Sequence, residues 1–258
     1  MSGVDIEPER LVKSAERVRD LGEVFTPRET VDAMLDLLPK EMWIHHPSPT
    51  FLEPACGDGN FLVAILERKL AGIKEFLNGE VLSAEISNDL ARLFALEALS
   101  SIYAVDISED NVIGGTQGHE VGARTRLLNM FAEWILVECG QKFNKSSAPL
   151  TRAQWIVDHN ILVGNMLPTL QDGKPTGRDE LPLVEYTWFP DQFRVELVKT
   201  TLGAVIADSD PNAEMTLFGP PDPESLWSGP VKQMHKAAAV LAPRLKGPAR
   251  NGQGRVDK

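Results

Sequence analysis

The stretch Thr50-Phe51-Leu52-Glu53-Pro54-Ala55-Cys56-Gly57-Asp58-Gly59-Asn60-Phe61-Leu62 constrains the fold more than any other. A short apolar run enters a loop with two glycines, and helical periodicity follows at once, with Leu62, Ile65, Leu66 and Lys69 on one face. The spacing predicts strand, loop and helix, with the Lys69 ammonium snorkelling from the apolar stripe. Glycines at 57 and 59 allow a backbone without Cβ atoms to approach a ligand, and the helix start offers unpaired N–H groups. A dinucleotide fingerprint G-x-G-x-x-G would need a third glycine where Leu62 stands, which argues against a nicotinamide-dependent oxidoreductase.

Upstream, residues 8–20 suit a charged helix. GEVFTPRETVDAMLDLLP then predicts an amphipathic helix, with Thr26 and Glu29 as a capping box, Pro27 in the first turn, and Val31, Met34, Leu35 and Leu38 as its stripe. Downstream, a helix over about 81–99, a strand in SSIYAVDIS, a loop at 114–120, a helix carrying Leu127, Leu128, Phe131, Trp134 and Ile135, and the strand Asn160-Ile161-Leu162-Val163 continue the alternation. That alternation predicts an α/β domain with a mostly parallel sheet and flanking helices.

After about residue 180 the pattern turns β-rich. LPLVEYTWF and FRVELVKTTLGAVIAD read as two strands of a hairpin around Pro190-Asp191. The aromatic run of Tyr186, Trp188, Phe189 and Phe193 suits a hairpin core or a base-stacking or partner surface. From Pro211 the chain reads as a Pro/Gly-rich linker, then a helix through HKAAAVLAPRL and a basic tail. The expected division is a helical segment at 1–49, an α/β domain at 50–210 and an irregular C-terminal extension at 211–258.

Apolar residues make up 43% of the chain and no run of ~20 uncharged apolar residues occurs, so no membrane span is expected. Met1 to Lys13 has no apolar centre for a signal peptide, and two isolated cysteines make no disulfide framework, so a cytoplasmic location is expected. Five histidines without ligand spacing predict no metal site. The net charge of −11 opposes unaided gripping of duplex DNA.

FLEPACGDGNFL resembles motif I of the N6-adenine DNA methyltransferases, D/E-P-A-C-G-x-G-x-F, and GEVFTP resembles the element those enzymes place before their first strand. The resemblance covers about residues 20–170. It implies a class I methyltransferase fold, a Rossmann-like sheet, and S-adenosylmethionine as cofactor, set against Phe25, Thr26, Glu53, Pro54, Ala55, Cys56, Gly57, Gly59, Asn60, Phe61, Asp106, Ile107 and Asn165. Glu53 would face the cofactor's ammonium, and Thr26 with the loop N–H groups its carboxylate. The ribose acid is Asp106 or Glu85. Asp106 lies far beyond the ~20 residues of a plain βαβ unit, whereas Glu85 falls in what reads as an inserted helix. Asn165 would contact the cofactor's adenine or merely form a turn after Gly164. Phe25 and Phe61 would flank the cofactor, though each taken singly reads rather as core packing, and Cys56 reads as a small buried residue of the loop rather than a nucleophile.

The family's Asn/Asp-Pro-Pro-Tyr/Phe tetrapeptide is missing. Gly219-Pro220-Pro221-Asp222 lacks its polar residue and ring. Ser209-Asp210-Pro211-Asn212, after the strand-like LGAVIAD, lacks the second proline and ring, leaving Asp208 and Asp210 as the acids to consider for catalysis. Two functions therefore stand beside each other. One is a methyltransferase of restriction–modification or phage type, acting on DNA with help from a protein partner. The other is a non-catalytic cofactor-binding subunit of a modification or defence complex, and an oligomer is compatible with either.

Overall fold

A computed structural model describes residues 13–21, 23–115, 121–140, 148–167, 170–171, 173–209 and 224–236. Helices α1 (Ala15–Leu21) and α2 (Arg28–Leu35) precede strand β1 (Phe51–Glu53). Helices α3 (Asn60–Gly79) and α4 (Ala84–Ser100) separate β1 from β2 (Ile102–Asp106). Helices α5 (Glu109–Val112), α6 (Ala123–Cys139) and α7 (Ala148–Asn160) separate β2 from β3 (Ile161–Val163). The three strands form a parallel sheet in the order β1-β2-β3, with Glu53 opposite Ala104 and Asp106 opposite Val163. The molecule is therefore mixed α/β, and no described helix is long and apolar enough to cross a membrane.

Side chains alternate across the parallel sheet. Ile102, Ala104 and Ile161 join the main core built with α3, α4, α6 and α7. Val105 and Leu162, with Tyr103 beside them, point the other way, against Leu181, Leu183 and Leu202. Leu52, on that second face of the edge strand β1, is 47% exposed.

A small hairpin, β4 (Leu170–Gln171) with β5 (Lys174–Pro175), follows. The antiparallel sheet of β6 (Pro182–Phe189), β7 (Arg194–Thr201) and β8 (Glu224–Pro230) completes the structure, with helix α8 (Leu202–Ser209) after β7. The β6–β7 hairpin turns at Pro190–Gln192, as the sequence implies. Trp188 and Tyr186 pack in the core, whereas Phe193 is exposed. The Trp188 indole N–H donates to Ser100 Oγ at 3.0 Å, and the Tyr186 hydroxyl donates to Asn160 Oδ1 at 2.9 Å.

Several expectations need correction. The helix after Phe25 starts at Arg28, because Pro27 is extended (φ −58, ψ 147) and stands as its N-cap, so Thr26 forms no capping box with Glu29. That helix ends at Leu35, leaving Met34 exposed and Leu38 packed on the core from outside it. LGAVIAD is not a strand continuing β7. Thr201 Oγ1 accepts from the Ala204 N–H at 3.3 Å and starts α8 instead. The supposed linker and tail contain a third strand, β8, because Pro230 falls at its end, where a missing N–H is tolerated. A 3-10 turn at Val231–Lys236 follows it, with Val231 and Met234 buried. Residues 1–12, the Gly219-Pro220-Pro221-Asp222 segment and the chain after 236 lie outside the described residues.

Lys69 does not snorkel. It is 1% exposed, its Nζ donates to Ser48 Oγ at 2.8 Å and to the Pro49 carbonyl at 2.6 Å, and it lies 4.9 Å from the Phe51 ring centre. Burial lowers its pKa from 10.5 to about 7, with only partial relief from buried Glu97. Between those values the unfolded chain holds the proton and the native chain does not, so this group makes stability rise from pH 7 towards 10.5. Thermal melts of wild type and Lys69→Met at pH 7 and pH 10 are expected to differ by a margin that moves in favour of wild type at the higher pH. A constant margin would show that the ammonium stays charged.

Candidate functional site

The carboxyl ends of all three parallel strands open into one cleft of about 650 Å³. The loop after β1 is set by its backbone. Cys56 N–H donates to the Val105 carbonyl at 3.1 Å, aligning the loop on β2, and Gly59 N–H donates to the Cys56 carbonyl at 2.9 Å. Gly57 has φ +53, and a Cβ there would stand 3.0 Å from the Phe25 ring. Gly59, the N-cap of α3, has φ +97, and its Cβ would meet the Ala123 Cβ at 3.0 Å. Gly59→Ala is therefore expected to cost ~1–3 kcal/mol of stability, measured by chemical denaturation. Adding Ala123→Gly should relieve the contact but not the dihedral strain, and an unchanged midpoint in the single variant would refute this account.

Asp106 closes β2 at the base of the cleft and is 8% exposed. Its Oδ2 accepts from the Gly57 N–H at 2.8 Å, and its Oδ1 accepts from the Ser108 N–H at 2.8 Å and from Asn111 Nδ2 at 3.1 Å. Asn111 Nδ2 also donates to Glu23 Oε2 at 3.1 Å. Arg17 clasps Glu23 (Nε to Oε1, 2.8 Å) and reaches Asp110 (Nη1 to Oδ2, 2.7 Å). The segment between α1 and α2 is thereby strapped to the end of β2. Its other end is tied by Asn60 Nδ2, which donates to the Thr26 carbonyl at 3.0 Å, while Arg126 Nη2 donates to Asn60 Oδ1 at 2.8 Å.

Glu53 is half-buried. Burial pushes its carboxyl above the usual range, the Ala55 N–H at 3.2 Å pulls it back, and the charge of Asp106 pushes it up again. Burial, with Asp106 and Glu53 nearby, also drives the Cys56 thiol far above its ordinary value. Cys56 is thus a buried thiol and a poor nucleophile.

The sequence-selected residues converge here. Phe25, Thr26, Glu53, Pro54, Ala55, Cys56, Gly57, Asn60, Phe61, Asp106, Ile107 and Asn165 all line the cleft, and Gly59 lies behind the loop against α6. Glu85 does not. It is exposed on the first turn of α4. Asn165 forms the turn, its Oδ1 accepting from the Leu167 N–H at 2.9 Å, and it also lines the cleft. Asp208 belongs to α8 and not to the end of a strand, and Asp210 lies outside the described residues.

Sequence reasoning missed Glu23, Ser108 and Asn111, which line the cleft, and Arg17, which holds Glu23. Their partners are set by the fold, and no spacing announces them. Among the described residues no cluster of His, Cys, Asp or Glu is arranged to hold a metal ion. Comparison with protein-family models, curated proteins and solved structures finds no match to this chain.

Proposed function

We propose that the cleft binds S-adenosylmethionine and that the chain is a class I methyltransferase, similar to the adenine-N6 DNA enzymes. The observation that carries this reading is the convergence of the sequence-selected cofactor residues, apart from Gly59 and the alternative acid Glu85, on one cleft at the carboxyl ends of parallel strands. Ligands of open α/β sheets bind at that end.

The donor set fits the group. Asp106 accepts three hydrogen bonds, and a carboxylate has about four acceptor positions, which leaves one for a ribose hydroxyl. Glu53 lines the cleft and commits one oxygen to the Ala55 N–H, so its other oxygen would serve the cofactor's ammonium. The Gly57 N–H is committed to Asp106, so the cofactor's carboxylate falls to the first-turn N–H groups of α3 and to Thr26. When bound, the cofactor would supply an electrophilic methyl group for transfer to an acceptor. The chain's part is to hold donor and acceptor in register and, through the strap of residues 23–26, to keep water out.

A second reading is a cofactor-binding subunit without catalysis of its own, acting through a protein partner. It is favoured by the position of β1: among the described residues no strand pairs with its outer edge, and Leu52, on the second face of that strand, is exposed. The absent Asn/Asp-Pro-Pro-Tyr/Phe segment favours it too.

Calorimetry and thermal shift with S-adenosylmethionine and S-adenosylhomocysteine test the part common to both readings. Saturable heat and a raised melting temperature are expected. Silence in both measurements at millimolar ligand would end the proposal.

A further inference from the structure

A second cleft, of about 600 Å³, shares no lining residue with the first. It opens between α4, the start of α7, the β6–β7 turn and the end of β8. Among the described residues its charged lining is Arg92, Arg152 and Lys232 against Asp89. Asp89 Oδ1 accepts from Arg92 Nη1 at 2.9 Å, and Arg152 Nη2 donates to the Lys232 carbonyl at 3.1 Å. The Nε atoms of Arg92 and Arg152 are buried and make no hydrogen bond among the described residues.

This arrangement is short of negative charge. Burial, and then the charge of Arg92, make protonation of Arg152 harder than usual. A guanidinium does not shed its proton in proteins, so an anion beside the two arginines would be favoured. The first turn of α7, a helix of 13 residues, reaches the cleft at Pro149 and adds the positive end of its dipole.

The mouth carries a ring. Phe193 has φ +46, a left-handed conformation that bulky residues rarely adopt, and is 42% exposed. Two hydrogen bonds hold it there, Phe193 N–H to the Pro190 carbonyl at 3.0 Å and Val231 N–H to the Phe193 carbonyl at 2.9 Å. Local strain that the surroundings over-determine is characteristic of ligand clamps.

We propose that this cleft binds a phosphate ester, its oxygens between the Arg92 and Arg152 guanidinium groups and the flat part of a nucleotide against Phe193. Guanidinium forks match phosphate oxygens, and aromatic faces stack on any base. A cleft of this volume lies within the ~300–1,000 Å³ of small-molecule sites. The phosphate can belong to a free nucleotide or to a nucleic-acid strand, and the proposal does not depend on the S-adenosylmethionine reading.

The full chain in phosphate-free buffer at low salt is titrated with thymidine 5′-monophosphate, with thymidine, and with a short oligothymidylate bearing a free 5′ hydroxyl. Tighter binding of the monophosphate would assign the site to free nucleotides, and tighter binding of the oligonucleotide to a strand. Thymidine is expected to bind neither measurably nor competitively. Arg92→Gln and Arg152→Gln are each expected to weaken the phosphate-bearing ligand at least tenfold and to abolish its thermal shift. Phe193→Leu, on the rim, keeps the test open should either arginine variant fail to fold, and is expected to weaken the nucleotide. No binding of either phosphate-bearing ligand, equal binding of thymidine, or affinities unchanged in the folded variants would each overturn the proposal.

Discussion

Replacing Asp106 by alanine is expected to weaken S-adenosylmethionine binding by ~1.5–3 kcal/mol, about 10- to 150-fold, whereas replacing Glu85 by alanine leaves it unchanged. Two effects act together at Asp106. The variant removes the acceptor proposed for the ribose, and it frees the Gly57 N–H, the Ser108 N–H and Asn111 Nδ2 that the carboxylate now gathers at 2.8 to 3.1 Å. Asp106→Asn separates the two, because an amide oxygen still accepts from the loop but carries no charge. Calorimetry gives the affinities, and melting curves establish that each variant is folded. A larger loss in Glu85→Ala than in Asp106→Ala would move the ribose to α4 and dismantle the site as described.

The gap between Gly57 and Asp106 shows why part of this site was readable and part was not. Their sequence separation of 49 far exceeds a plain βαβ spacing, because α3 and α4, of 20 and 17 residues, both lie between β1 and β2. The periodicity of each helix was visible, so the acid at the end of IYAVD could still be matched to the loop. Arg17 with Asp110 is the opposite case. Those residues lie 93 positions apart in charged, aperiodic segments, and only the folded chain brings them together. Lys69 falls on the apolar stripe of α3 by spacing, but its acceptors come from Ser48 and Pro49, in the loop before β1, and nothing in the helix itself reveals them. LGAVIAD misleads for a general reason: a short apolar run serves a buried strand or a helix equally well, and a single threonine cap decides it here.

The chain alone is expected to produce no N6-methyladenine on duplex DNA. Chemistry on a base requires turning it out of the stack, at a few kcal/mol, and recovering that energy through stacking and hydrogen bonds in a pocket. The sequence lacks the Asn/Asp-Pro-Pro-Tyr/Phe segment that supplies both in the enzymes it resembles. The substitute suggested by sequence, Ser209-Asp210-Pro211-Asn212, rests on a strand ending at Asp208, but Leu202–Ser209 is a helix, and residues 210–212 lie outside the described residues. The net charge of −11 adds a long-range repulsion from the phosphate backbone, strongest at low salt. Digestion of DNA incubated with the chain and S-adenosylmethionine, followed by nucleoside analysis, should therefore show only background, even where calorimetry registers saturable cofactor binding. Signal that appears on adding a DNA-binding partner would support the subunit reading. Robust methylation by the chain alone, lost in Asp210→Ala, would instead establish Asp210 as a catalytic group and refute the argument from α8.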